Sequence, residues 1–134
     1  YTAGNPDGHI VLRGGNNGPN YGSTAIAQAQ ELLVASGVRS RLLVDCSHGN
    51  SNKEYAMQGR AFKDVVDQRS NGNSDIIGCM LESNINEGNQ KLNGTSADLK
   101  YGVSITDSCI GWSETEELLK WAYERVLDPQ STLA

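Results

Sequence analysis

Apolar positions along the chain fall into two kinds of run. Short branched runs that stop in glycine- or asparagine-rich turns occur at residues 9–13 (HIVLR), 41–52 (RLLVDCSHGNSN) and 75–83 (DIIGCMLES). Such runs read as buried parallel strands, each ending at the mouth of an α/β fold. Period-two alternation puts Leu42, Val44, Cys46 and His48 on one face of the second, His9, Val11 and Arg13 on one face of the first, and Ile76, Gly78, Met80 and Glu82 on one face of the third.

Between the strands the spacing changes to a helical one. Residues 24–36, with Ile26, Ala29 and Leu33 inward, form a helix capped by Ser23 and closed by Gly37. Residues 53–69, with Tyr55, Phe62, Val65 and Val66 inward, form a second, capped by Asn52 and stopped at Asn71-Gly72. Its Lys63, Asp64, Asp67 and Arg69 read as a solvated face. A third opens on the capping box Ser113-Glu114-Thr115-Glu116, carries Leu118, Leu119, Ala122 and Val126 on one side, and ends at Asp128-Pro129. The glycine-rich segment 14–22 is either a plain connection or a backbone cradle for an anion. Residues 83–112 show no period, and a loop of that length in a compact domain suggests a functional lid.

The three strand ends carry Arg13, His48 and Glu82 at intervals of about 35 residues, close to the roughly 31 per unit of an eight-unit barrel. The fold class predicted is therefore α/β, with residues 1–134 forming the C-terminal part, about three β/α units, of a single (β/α)8 TIM barrel domain. Three units leave two open sheet edges and an unfilled inner face. This expectation, and the start at Tyr1 rather than Met, point to a longer enzyme or to another chain that completes the barrel.

Composition narrows the chemistry. With 37% hydrophobic and 20% charged residues the chain reads as an ordinary globular domain, and no apolar run is long enough for a membrane span or signal peptide. A net charge of -5 argues against nucleic acid as a partner. Cys46, Cys79 and Cys109, odd in number and partly in strand-like runs, suit reduced thiols in a cytoplasmic protein. Simple packing is the first reading of Cys46; a metal pair with His48 is the second.

Arg13, His48 and Glu82 sit where barrel enzymes place their catalytic groups. Imidazole and carboxylate together suit Mn, Fe, Co or Zn, and Asp107 in the long loop could add a third ligand. Such an ion would act as a Lewis acid on a carbonyl. Arg13 presents a fixed charge and a planar fork to a phosphate or carboxylate. The residues alone thus describe a metal-assisted enzyme acting on a small, anionic, phosphorylated carbonyl compound.

Four stretches, GNPDGHIVLRGG, VDCSHGNSNK, LESNINEGNQ and LKYGVSITDSCIGW, resemble in order the C-terminal part of class I 3-deoxy-D-arabino-heptulosonate 7-phosphate synthase. The resemblance runs from about Gly4 to Val126, and SHGNSNK with ESNINEGNQ leans toward the fungal branch. It implies a (β/α)8 transferase that condenses phosphoenolpyruvate with erythrose 4-phosphate and releases phosphate, the first step of the shikimate pathway. It further implies that His48, Glu82 and Asp107 ligate a divalent metal, that His48 can also relay a proton, and that Arg13 binds the phosphoenolpyruvate phosphate. The metal would polarise the aldehyde of erythrose 4-phosphate. The family's fourth ligand, a cysteine on an early strand, is not Cys46, Cys79 or Cys109. These 134 residues alone are accordingly expected to be inactive, and the full-length form to be a homo-oligomer. Two other readings remain at this point: a different metal-dependent barrel lyase or aldolase, and a non-catalytic partial barrel serving as an assembly module.

Overall fold

The computed structural model describes residues 1–127. Three parallel strands, β1 (Ile10–Leu12), β2 (Leu42–Asp45) and β3 (Ile76–Met80), lie side by side in chain order, with Ile10 opposite Leu42 and Asp45 opposite Met80. They alternate with α1 (Ser23–Ala35), α2 (Gln58–Ser70) and α3 (Trp112–Leu127). Parallel neighbours need crossovers of a dozen or more residues, and the helices provide them.

All three helices contribute to cores on one face of the sheet. Ile26 of α1 and Val65 of α2 pack with Leu42, Val44 and Ile76, while Ala61, Phe62 and Val66 of α2 and Leu118 of α3 pack with Cys46 and Ile110. Burying each large side chain contributes about 1.5–3 kcal/mol. The opposite face is bare: Val11, Ile77 and Met80 are 47%, 51% and 36% exposed. A doubly wound sheet would carry helices on both faces; this one is covered on one.

Several local expectations are corrected. The alternation in β3 breaks, because Leu42 and Leu43 pair with Ile76 and Gly78 and leave Ile77 as an extra residue. Ile76 is therefore on the helix side with Cys79 and Leu81, and does not share a face with Met80. Ser23 is the first residue of α1 rather than its cap; Gly22 holds that position without a side-chain bond. Asn52 does not cap α2, which begins at Gln58 after a 3-10 turn over Tyr55–Met57. α3 begins at Trp112, and Thr115 Oγ1 donates back to the Gly111 carbonyl at 2.9 Å, so the expected box around Ser113 is not the start. Leu119 and Val126 point outward, 52% and 53% exposed, while Leu118 is buried. Asp67 is not simply solvated either: it accepts from Arg125 Nε at 2.6 Å, joining α2 to α3, and Lys63 sits 5.7 Å from the Trp121 ring centroid. The expected stop at Asp128-Pro129 lies outside the described residues. Among the described residues no helix is long and apolar enough to cross a membrane.

Candidate active site

The C-terminal ends of the strands open on a cleft of about 600 Å³, and Arg13, His48, Glu82 and Asp107 all line it. His48 is not the last inward residue of a strand, as alternation predicts. β2 ends at Asp45, Leu42, Val44 and Cys46 go to the helix-side core, and His48 reaches the cleft from a turn in which its own φ is +46°. Because the core takes the Cys46 side chain, its second reading as a metal partner of His48 fails. Its thiol is held far above the ordinary range by the neighbouring Cys79 thiol and by burial. All three cysteines are free.

The turn is held against β1 by two glycines and one asparagine. A Cβ on Gly14 would lie 2.5 Å from the Gly49 carbonyl carbon, and the Gly49 N–H donates to the Arg13 carbonyl at 3.0 Å. Only two chains without side chains can approach so closely. Buried Asn50 donates to the carbonyls of Leu12 (3.0 Å) and Asp45 (2.7 Å), and accepts from the Asn20 N–H (2.7 Å). One amide thereby fixes the ends of β1 and β2 and, through them, the separation of Arg13 from His48.

Glu82 is clamped by its peptide group. Gln58, wholly buried, accepts from the Glu82 N–H at 2.8 Å and donates to the Glu82 carbonyl at 3.2 Å, while Ser47 Oγ donates to the carboxylate at 2.6 Å. A buried amide satisfied at both ends is a stable positional constraint. Asp107 is delivered by the long loop, which is an ordered hydrogen-bonded framework rather than a detached lid. Ile110 donates to the Glu82 carbonyl and is fully buried, Gly88 and Cys109 exchange a pair of backbone bonds, and Gln90 spans to Lys100, Val103 and Ser104.

His48 Nε2 lies 3.7 Å from Glu82 Oε1 and 3.7 Å from Asp107 Oδ2, and the three groups offer donor atoms all within 4.8 Å of one another. Separations of 3.7 Å are too long for hydrogen bonds. They are what donors leave between them around a shared cation with bonds near 2.1 Å. On the other side of the ring, Asp45 Oδ2 stands 2.8 Å from Nδ1, although off the line of the N–H, so the contact is not a regular hydrogen bond. Proximity decides its role all the same. Asp45 is buried, its other oxygen accepts from the Ser47 N–H at 2.9 Å, and among the described residues the cation near Oδ2 is Arg13, with Nε at 3.9 Å. A carboxylate there favours the proton on Nδ1 and leaves the Nε2 lone pair facing the cleft. The donor set therefore fits a divalent transition metal.

The glycines of the glycine-rich segment do not form an anion cradle. The Gly14 N–H goes to Asn20 Oδ1 (2.7 Å), and Gly15 and Gly18 pair with each other at 3.0 Å, so these donors are already used. The four residues singled out from the sequence, Arg13, His48, Glu82 and Asp107, come together in this cleft, whereas Asp45, Ser47, Asn50 and Gln58 were not singled out. The aspartate three residues before a histidine at a strand end was a legible signal. A buried glutamine in a helix that clamps a peptide 24 residues on was not.

Comparison with known proteins shows the family. The sequence profile of the DAHP synthetase I family matches residues 1–120. The chain belongs to this family. The Tyr-sensitive phospho-2-dehydro-3-deoxyheptonate aldolase of Enterobacter agglomerans is 51% identical over 119 residues, which cover 89% of this chain and 55% of that protein. Its namesake from Escherichia coli is also 51% identical, with 33% of its length covered. The phenylalanine-inhibited enzyme of Saccharomyces cerevisiae is 41% identical over 98% of this chain and 37% of its own length. The chain thus spans a third to about half of these family members, and the expected leaning toward the fungal branch is reversed by the higher enterobacterial identity. A solved structure of the family, phospho-2-dehydro-3-deoxyheptonate aldolase from Francisella tularensis SCHU S4, superposes with a TM-score of 0.88 at 36% identity over 97% of this chain and 37% of that one.

Proposed function

We propose that the chain forms the last three β/α units of a (β/α)8 barrel transferase that condenses phosphoenolpyruvate with erythrose 4-phosphate, giving 3-deoxy-D-arabino-heptulosonate 7-phosphate and phosphate. Supporting the barrel is a sheet covered by helices on one face only, whose other face presents Val11, Ile77 and Met80 for the remaining units to cover. The observation that carries the activity is the convergence of His48, Glu82 and Asp107 beside Arg13 in one cleft.

In this reading His48 Nε2, Glu82 and Asp107 hold a divalent ion of the Mn, Fe, Co or Zn type. The bound ion supplies Lewis acidity toward the substrate carbonyl. Arg13 receives the phosphate of phosphoenolpyruvate through its planar fork and orients the alkene toward the aldehyde. Asp45 keeps the imidazole in the tautomer that presents Nε2, and Ser47 and Gln58 hold Glu82 in place before substrate arrives, so that little reorganisation remains for the reaction.

The intact enzyme is expected to release inorganic phosphate from phosphoenolpyruvate only when erythrose 4-phosphate and a divalent ion are both present. Phosphate release without the aldehyde, or undiminished after chelation, contradicts the proposal. Asp45→Asn keeps the shape but loses the charge beside Nδ1, and metal affinity should fall about 10–100-fold, read by competition with a chromogenic chelator. An unchanged affinity would show that Asp45 serves only the Ser47 turn.

A further inference from the structure

The cleft contains a cation to which neither the metal set nor Arg13 gives a task. Lys53 lines it and forms no ion pair among the described residues. Its backbone is left-handed, with φ +64°, following Asn52 at +55° and His48 at +46°. Such angles are uncommon for residues with side chains, and they persist where the surroundings enforce them, often at functional sites. Here the enforcing contacts are short: the Lys53 N–H donates to the His48 carbonyl at 2.8 Å, Asn52 to Gly49 at 3.2 Å, and Asn50 to Ser47 at 3.0 Å. Glycine would suit position 53 better on backbone grounds alone, yet a lysine stands there and borders the cleft.

The electrostatics of the cleft give that lysine a purpose. Gly14, Gly15, Gly18 and Gly49 have committed their N–H groups to other parts of the protein, so these glycines leave an anion to other groups of the cleft. Arg13 shares its charge with Asp45 at 3.9 Å, so it neutralises a dianion only in part. A second free cation restores the balance.

We propose that Lys53 is a phosphate-binding residue of this cleft, gripping a phosphomonoester dianion alongside Arg13. The proposal rests on the reading of the cleft as a site for phosphorylated substrates, and it gives Lys53 a part in that site.

The test uses Lys53→Gly, Lys53→Met and Lys53→Arg in the intact enzyme. Lys53→Gly removes the cation while relieving the left-handed backbone, so it should melt no lower than the parent. Lys53→Gly and Lys53→Met are expected to raise KM for one phosphorylated substrate about tenfold, the size of one charge-assisted hydrogen bond, with a smaller effect on kcat. Lys53→Arg should recover most of the loss. The substrate whose KM rises identifies the phosphate held, and inhibition by inorganic phosphate should weaken in proportion, with metal affinity unchanged. KM values and phosphate inhibition within twofold of the parent would overturn the proposal, as would a matching loss of metal affinity, which would show that Lys53 acts through the His48 turn. If the parent fails to turn over these substrates, the reading of the reaction fails instead. Calorimetric binding of inorganic phosphate to parent and Lys53→Gly then still decides the role of Lys53.

Discussion

His48→Ala is expected to abolish divalent-metal retention by the intact enzyme and to lower product formation at least about a thousandfold, the equivalent of some 4 kcal/mol of transition-state stabilisation. The loss follows from the position of Nε2, which faces both Glu82 and Asp107 at 3.7 Å. Removing it leaves two carboxylates with no neutral donor between them. Glu82→Gln should act in the same direction with a smaller loss, because the amide oxygen is a weaker ligand while the Gln58 clamp on the Glu82 peptide persists. Metal content per chain, measured by elemental analysis after gel filtration, separates this account from a general folding defect: the alanine variant should keep its helical circular dichroism while emptying of metal. A variant that retained one metal per chain would show that the ion sits elsewhere.

Gly14→Ala is the largest expected loss of stability. The added methyl group would stand 2.5, 2.7 and 2.8 Å from backbone atoms of Gly49 and Asn50, at a φ of +79° that side chains rarely adopt. Left-handed strain of roughly 1–2 kcal/mol adds to the displacement of a turn that carries the Gly49-to-Arg13 and Gly14-to-Asn20 bonds. The total should reach about 3–5 kcal/mol and lower the melting temperature by about 10 °C or more. Gly15→Ala is the matched control: its Cβ would meet nothing within 4 Å, and its φ is not in the left-handed region, so it should be neutral or slightly stabilising. Equal melting temperatures for the two variants would mean that the β1 and β2 turns do not touch as described.

How much of this was legible beforehand differs by element. The three parallel strands and three helices follow from branched apolar runs and from 3.6-residue spacing, because burial against one helix layer imposes those periods. Helix starts were read less well. Ser23, Asn52 and Ser113 all have the chemistry of caps, but tertiary contacts decide the first turn: the turn after β2 is spent placing His48, and α2 cannot begin until Gln58 has reached the Glu82 peptide. The parity of β3 was misread because one bulged residue, Ile77, reverses every side chain after it. Loop 83–112 looked aperiodic because its order comes from long-range backbone and amide bonds, such as those of Gln90, which leave no repeat in the sequence.

Within the candidate site, the residues with ligand and anion-binding chemistry stood out in the sequence and their supports did not. Arginine, histidine, glutamate and aspartate at turn ends announce chemistry by charge alone. Asn50 and Gln58 act through paired backbone bonds to distant segments, and an uncharged amide gives no such signal. Lys53 was read as the first residue of the second helix, but its left-handed backbone, tied to the His48 carbonyl, places it at the cleft before that helix begins.

The account stands most directly on where a metal binds. Anomalous scattering from crystals of the intact enzyme loaded with Mn or Zn should give one strong peak within about 2.0–2.3 Å of His48 Nε2 and of carboxylate oxygens of Glu82 and Asp107, with Asp45 still against Nδ1. A peak held by other residues, or none at saturating metal with these three side chains free, would contradict it.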